Sequence, residues 1–384
     1  MKEYDYIIAG AGCAGLSLAV HMIRSGAFNE SRVLLVDKQQ SRTNDRTWCF
    51  WETEAGLFEP VVSKTWSKLD FLAPGFSRLL EIAPFSYKLI RGSDFYQYAC
   101  ELIAAMPNFE WCYGNITGIS EQTTHAVLHV DGQQYISPYI FSSMQSAGSM
   151  LPGEITLQQH FKGLLIETTE AIFDDSRATL MDFTIPQPGE TAFMYILPLS
   201  PTRALVEYTI FGEKIWPSAA YDRQLGEYIS KRLGINGFTV LETELGSIPM
   251  STYRDKIRRG RTIQLGISGG QTKASTGYTF KFIQRHSAAL VAGMIGKGTP
   301  VLTRRNLEGR FHFYDSVLLR VLAADGLMGA GIFARMFSRN SVTLVLLFLE
   351  NKSTIFQEVR LMMSLQKIPF IRAVLRQFAA IIRQ

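Results

Sequence analysis

The sequence predicts an α/β fold: a Rossmann-like dinucleotide-binding half, an antiparallel-sheet half and a helical C-terminal region. Three observations lead there. An apolar strand, Tyr4 to Ala9, runs straight into Gly10-Ala11-Gly12-Cys13-Ala14-Gly15, and a helical stretch follows from Leu16 to Arg24. The middle of the chain alternates apolar and polar residues between turn signals, as antiparallel strands do. From about residue 279 onward apolar residues recur mostly at helical spacing.

The first element is a βαβ unit with a physical role for each part. Gly10 permits the tight turn, Gly12 lets the backbone approach a pyrophosphate, and Gly15 lets the helix close on the strand. The helix N-terminus stabilises phosphate charge. The second strand, Arg32 to Val36, ends on Asp37, about 20 positions beyond the last glycine, where a carboxylate accepts a ribose hydroxyl.

The remaining elements follow in order. After the polar loop Lys38 to Asp45 comes the aromatic cluster Arg46-Thr47-Trp48-Cys49-Phe50-Trp51. Residues 66–90 alternate, with Pro74-Gly75 as a turn. Arg91-Gly92-Ser93-Asp94 opens a helix to about Met106, for which Ser93 is the expected N-cap. Short strands follow near 109–112, 116–120, 125–130 and 135–141, and more between Gln158 and Thr209, with a helix over 218–234. Arg261-Thr262-Ile263-Gln264-Leu265 is a late strand feeding the second glycine-rich stretch, Gly266-Ile267-Ser268-Gly269-Gly270. The expected organisation is a discontinuous dinucleotide domain (1–65, 88–150, 255–300), a β-sheet substrate domain (66–87, 151–254) and a helical region over 301–384. A fingerprint that opens the chain, a late glycine turn before a long helix and no second GxGxxG favour FAD over NAD as the tightly held cofactor.

Composition narrows the function. The 384 residues are 47% hydrophobic, enough for well-buried cores. Cys13, Cys49, Cys100 and Cys112 form no CxxC pair or zinc spacing and suit reduced thiols. His125 and His129 lie in a strand-like stretch, so no metal site is expected. No signal peptide is read before the first strand, and no apolar run reaches the roughly 18 residues of a membrane span. Val342 to Leu349 reads as a buried helix segment. Net charge is +5, and residues 351–384 account for all of it: Lys352, Arg360, Lys367, Arg372, Arg376 and Arg383 against Glu358. Among these, Phe370, Ile371, Val374, Leu375, Phe378, Ile381 and Ile382 recur at helical spacing. A basic amphipathic helix of this kind suits a membrane surface; docking on its own domain is the alternative. Nucleic acid is not an expected partner, since no basic stripe with interleaved aromatics occurs elsewhere.

Taken together these segments resemble the lycopene cyclases, FAD-containing enzymes that form carotenoid rings, whose fold is like that of flavin hydroxylases and geranylgeranyl reductases. The resemblance rests on Asp45 to Trp51, Gln158 to Gly163, Leu180-Met181-Asp182-Phe183, and Leu197-Pro198-Leu199-Ser200 followed by Ala204-Leu205-Val206-Glu207-Tyr208-Thr209. Lys273-Ala274-Ser275-Thr276-Gly277-Tyr278 is similar to the family's second flavin-contact turn. There are departures. The family often has two adjacent acids where this chain has Glu207-Tyr208; Gly266-Ile267 lacks the aspartate of related flavoproteins, and Phe141-Ser142-Ser143 lacks the aspartate usual at that strand end.

The resemblance implies an isomerase acting on lycopene and related carotenoids at the cytoplasmic side of a membrane. Protonation of a terminal double bond would start closure to a β-ring without net redox, giving γ-carotene and β-carotene. Reduced FAD would stabilise the cation, and NAD(P)H would be the source of its electrons. Glu207 is the implied acid, and Asp182 is a second buried-acid candidate with a hydrogen-bonding role as its alternative. Gly10, Gly12, Gly15, Asp37, Gly266, Thr276 and Gly277 are the implied cofactor contacts. Trp48, Trp51, Phe193 and Tyr195 are candidate pocket aromatics, with plain core as the alternative. The competing functions are a redox flavoenzyme of the same fold (monooxygenase or isoprenoid reductase) and a non-catalytic flavin or carotenoid carrier.

Overall fold

The computed structural model describes residues 2–40, 43–144, 153–253, 257–300 and 306–382. One sheet has the order Arg258–Arg259, Thr262–Gln264, Tyr139–Ser142, Tyr6–Ala9, Val33–Asp37, Phe109–Tyr113. Every pairing in it is parallel except that of the short Arg258–Arg259 strand. Its strands are continuous apolar runs because both faces are covered. Ile8, Val33 and Leu35 pack under the helices Cys13–Ser25, Gly92–Ala104 and Phe280–Lys297, while Ile7, Leu34 and Val36 pack on a small mixed sheet that includes Ala126–Val130.

A second, larger sheet has the order Thr239–Ser251, Thr156–Glu167, Arg203–Gly212, Thr191–Ser200, Arg177–Asp182, Lys68–Ala73, Phe76–Glu81. Side chains alternate across it. Ile166, Met194, Val206 and Ile210 lie on one face, under the helix Ser218–Glu227 and the wider helical turn after it. Leu157, Phe193, Tyr195, Leu205 and Phe211 lie on the other, in a core shared with the C-terminal helices. Thr47–Glu52, Ser86–Arg91 and Lys64–Trp66 form a three-stranded sheet. Trp51 and Leu89 of that sheet join the same core, so it connects the two halves.

Local readings hold with three differences. The helix near residue 92 spans Gly92–Ala104 with Arg91, not Ser93, at the N-cap position; the Ser93 hydroxyl donates to Asp94 Oδ1 at 2.9 Å instead. Thr239–Ser251 is a strand that the sequence reading does not identify. It is an edge strand with polar and charged residues along both faces and Pro249 near its end, so its alternation is weak. The last helix, Lys367–Ile382, is docked along one side only. Ala373, Gln377 and Ala380 are buried and Phe370 and Val374 pack on the core, while Ile368, Ile371, Leu375, Phe378 and Ile382 are exposed. Arg383 lies outside the described residues. Among the described residues no helix is long and apolar enough to cross a membrane.

Candidate active site

The N-terminal turn is built as the glycine spacing requires. Gly10 has φ +97°, a conformation that excludes most side chains, and a Cβ there would also meet the Ser143 hydroxyl. Ser143 thus packs directly against Gly10. A Cβ on Gly15 would collide with the Gly10 carbonyl oxygen. Gly12 differs: as the N-cap of Cys13–Ser25 it has ordinary φ, and a Cβ on it would meet nothing within 4 Å. No protein packing requires glycine there, which suits a backbone kept bare for a pyrophosphate on the helix N-terminus. Asp37 is braced, accepting from the Ala11 amide at 2.7 Å and the Gln39 amide at 2.9 Å. Those bonds fix its carboxylate beside the glycine turn, in reach of a ribose.

The late glycine stretch lies beside this turn. Thr262–Gln264 pairs with Tyr139–Ser142, which pairs with Tyr6–Ala9, and a Cβ on Gly266 (φ +62°) would lie 3.3 Å from the Ala14 Cβ. The Gly266 amide donates to Gln271 Oε1 at 2.8 Å. Lys273 Nζ, wholly buried, bonds Asp315 and Asn351 at 2.8 Å each and anchors the next turn to the C-terminal helices. In that turn Gly277 has φ +69° and faces Gln159 of the large sheet. Thr276 Oγ1, Gln159 Oε1, Gln264 Oε1 and Gln271 Nε2 are buried without hydrogen-bond partners. Unpaired buried polar atoms are costly. Three of them in the late strand and its turns, with Gln159 facing them from the large sheet, fit the polar edges of a flavin and its ribityl chain.

Glu207 lies on the sheet face turned toward that segment. Tyr195, Glu207, Gly163 and Glu244 stand in register on four neighbouring strands. Gly163 has no side chain between the two acids; a Cβ there would lie 3.0 Å from Glu244 Cγ and 3.2 Å from its Oε1. The carboxyls of Glu207 and Glu244 therefore meet and hydrogen-bond across it. Thr209 Oγ1 donates to Glu207 Oε1 at 2.7 Å, and Thr47 Oγ1 donates to Glu244 Oε2 at 2.9 Å. Burial first, and then the Glu244 charge, push the Glu207 carboxyl well above the ordinary carboxylate range. Burial also raises Glu244, while its bonds from Glu207 and Thr47 act the other way. Two carboxyls in such contact share a proton, and the balance leaves it on Glu207. The Glu207 side chain is half-buried, so part of it remains accessible.

Apolar and aromatic groups enclose this acid. Phe193 packs edge-on to Tyr195 at 5.1 Å between centroids, and Trp51 packs edge-on to Tyr278 at 4.9 Å. Tyr195 and Tyr278 interact, which links the late turn to the Glu207 row, and burial keeps both phenols protonated. Trp48 lies apart, against Phe95, Tyr96 and Phe280 of the dinucleotide half.

Asp182 is not brought together with Glu207. It lies on the opposite face of the large sheet, fully buried, where Tyr228 OH donates to it at 2.6 Å and the Thr184 amide and hydroxyl at 2.8 and 2.6 Å. These bonds fasten the helix Ser218–Glu227 and its following turn to the sheet. Sequence reasoning missed Glu244, Gly163, Thr47 and Gln159. The available signal was Glu242-Thr243-Glu244 between Leu241 and Leu245, in a stretch with a weak strand period; the pairing of Glu244 across Gly163 is a long-range relation.

The sequence matches the family model described as "Lycopene cyclase protein" over residues 5–375. The chain belongs to the lycopene cyclase family. It is 25% identical over 292 residues to the lycopene beta-cyclase of Pantoea ananas, covering 72% of this chain and 71% of that protein. It is 24% identical over 326 residues to the lycopene beta-cyclase of Paracoccus sp. (strain N81106 / MBIC 01143), covering 78% and 76%. Its fold is similar to that of a geranylgeranyl bacteriochlorophyll reductase-like protein from Thermoplasma acidophilum, with TM-score 0.59 and 10% identity over 100% of this chain and 98% of that one. A flavoprotein/dehydrogenase from Cytophaga hutchinsonii gives TM-score 0.61 and 11% identity over 99% and 100%. The family and these folds agree with the Rossmann-like α/β architecture expected from the sequence.

Proposed function

We propose that this lycopene cyclase family member binds FAD and closes the linear ends of lycopene into β-rings by acid catalysis without net redox. The observation that carries the reading is Glu207: a half-buried carboxyl held protonated by its surroundings and by Glu244, one aromatic neighbour from the late glycine turn. The turn Gly10 to Gly15, Asp37, Gly266 and the segment Thr276-Gly277 would hold the cofactor. Reduced, anionic FAD supplies fixed negative charge near a developing cation, and NAD(P)H would be the source of its electrons.

The chain's own residues account for the proton. Lycopene offers no polar handle, so the site must present an acid in an apolar cleft. Glu207 delivers its proton to a carbon of the terminal double bond, leaving a tertiary carbocation. A neighbouring double bond attacks that cation and closes the ring. Loss of one ring proton then sets the β double bond, so the formula is unchanged. Phe193, Tyr195, Trp51 and Tyr278 exclude water and present aromatic faces to the charge.

We also place the protein on the cytoplasmic side of a membrane, where such a substrate dissolves. The exposed stripe Ile368, Ile371, Leu375, Phe378 and Ile382, continued by Phe356 and Met363 on Ile355–Met363, supports this, with Arg372 and Arg376 beside it. Expression in a lycopene-accumulating bacterium, with chromatography and mass analysis of the pigments, tests the activity. Cyclic products of unchanged mass support it. Products heavier by oxygen or hydrogen would make the chain a redox flavoenzyme, and tight pigment binding without turnover would make it a carrier.

A further inference from the structure

We infer that Glu244 is a positioning residue for ring closure, holding the proton of Glu207 and connecting it to solvent. The inference rests on the acid role of Glu207 proposed above. Its basis is the geometry of one polar path through the sheet. Thr209, Glu207, Glu244 and Thr47 form a chain in which each threonine caps the outer oxygen of its acid. The other Glu244 oxygen, Oε1, lies against Gly163, which has no side chain to separate the acids, and the two carboxyls interact there.

Glu244 is also where the path turns outward. It lines a cavity with Asn44, Thr47, Arg91 and Glu242. Glu242 accepts from Asn44 Nδ2 at 2.5 Å and pairs with Arg91, and both members of that ion pair are about one-third exposed, at 35% and 34%. Water therefore reaches the Glu242–Arg91 pair, one residue pair away from Glu244 on the same edge strand.

Other groups near Glu207 do not serve this purpose. Half-buried Cys49 and buried Tyr195 are pushed up by desolvation, hence neutral, and so is Tyr278 beyond them. Lys162, although next to Gly163, points to the opposite face and pairs with Asp222 at 2.5 Å and Ser218 at 2.8 Å. Glu244 is the neighbour that both touches the acid and borders a route to solvent. The step conserves electrons: Glu207 gives one proton to the alkene, its carboxylate takes one back from the ring, and Glu244 exchanges that proton with the solvent side between turnovers.

The test is an infrared pH titration of the protonated-carboxyl band in the holoenzyme, run beside the pH profile of cyclisation. The band that disappears in Glu207→Gln belongs to Glu207. In Glu244→Gln the amide still bridges to Thr47, but it removes the like charge and donates to the Glu207 carboxylate. The Glu207 band should then be lost at a pH lower by about one unit or more. The alkaline limb of kcat should move with it, kcat should fall at least about tenfold, and KM should hold. Glu244→Asp, too short to reach across Gly163, should not restore the wild-type titration. A Glu244→Gln protein whose melting temperature changes while band and limb stay put would overturn the inference. A wild-type protein that shows the titration but forms no rings would sink the proposed activity and leave the pairing standing.

Discussion

The carboxyls of Glu207 and Glu244 are hydrogen-bonded to each other across Gly163, whose missing side chain makes the contact possible. The two acids come from strands that are not neighbours; Thr156–Glu167 lies between them. The family often carries two adjacent acids, and this chain has Glu207-Tyr208 in their place. Tyr208, one position on, necessarily points to the opposite face of a strand. The second carboxyl at this site is supplied across the sheet.

This pairing has a consequence for stability. Burial and Glu244 raise the Glu207 pKa in the folded state above its unfolded value of about 4.3. Below the unfolded value the group is protonated in both states and costs nothing. Above it the folded state holds more protons than the unfolded state, so stability falls as pH rises until the folded pKa is passed. Melting temperatures across that range should therefore decline less steeply for Glu207→Gln than for the wild type. Parallel curves would mean that Glu207 titrates normally.

The two glycines of the first turn should fail differently. Gly12→Val places a side chain in open space, so the protein should fold and melt near the wild-type temperature while losing bound FAD. Gly15→Val drives a side chain into the Gly10 carbonyl oxygen and should impair folding itself. Flavin absorbance and a thermal melt separate the two. Full FAD occupancy in folded Gly12→Val would contradict the cradle.

Asp182 should matter for stability and not for chemistry. Asp182→Asn weakens its bonds from Tyr228 and Thr184, each worth roughly 1–3 kcal/mol where a charged group is involved. A lower melting temperature with unchanged activity per folded molecule is expected. Loss of turnover without loss of stability would return Asp182 to the candidate acids.

The exposed stripe on the last helix should bind lipid. Leu375→Glu with Ile371→Glu changes only exposed positions, at 65% and 57%. Folding should survive, and partition onto anionic vesicles should drop, as it should for the unchanged protein when salt is raised. Equal binding by both proteins would leave the stripe without this role.

Much of this was legible in the sequence where chemistry is local. Gly10, Gly12, Gly15 and Asp37 are recognisable because turn geometry and spacing along one βαβ unit dictate them. Glu207 could be named because an ionisable group in an apolar strand is expensive without a function. Glu244 could not, because its strand is a polar edge with little alternation and its meaning depends on Gly163, contributed by another strand. The face on which Asp182 lies was equally hidden: strand period separates neighbours, but it does not say which face meets which layer. The last helix read as either a membrane-surface element or a docked helix; the structure docks one side and leaves the other exposed.

The most direct measurement is turnover of lycopene in deuterated buffer with reduced flavin, followed by mass analysis of the rings. Glu207 exchanges its proton with solvent before it acts, so each ring formed should carry one deuteron, at the carbon first protonated. Reductant should not be consumed in proportion to rings, and Glu207→Gln should retain FAD while losing roughly 10²-fold or more of the rate. Rings that form without solvent deuterium would contradict initiation by an exchangeable acid.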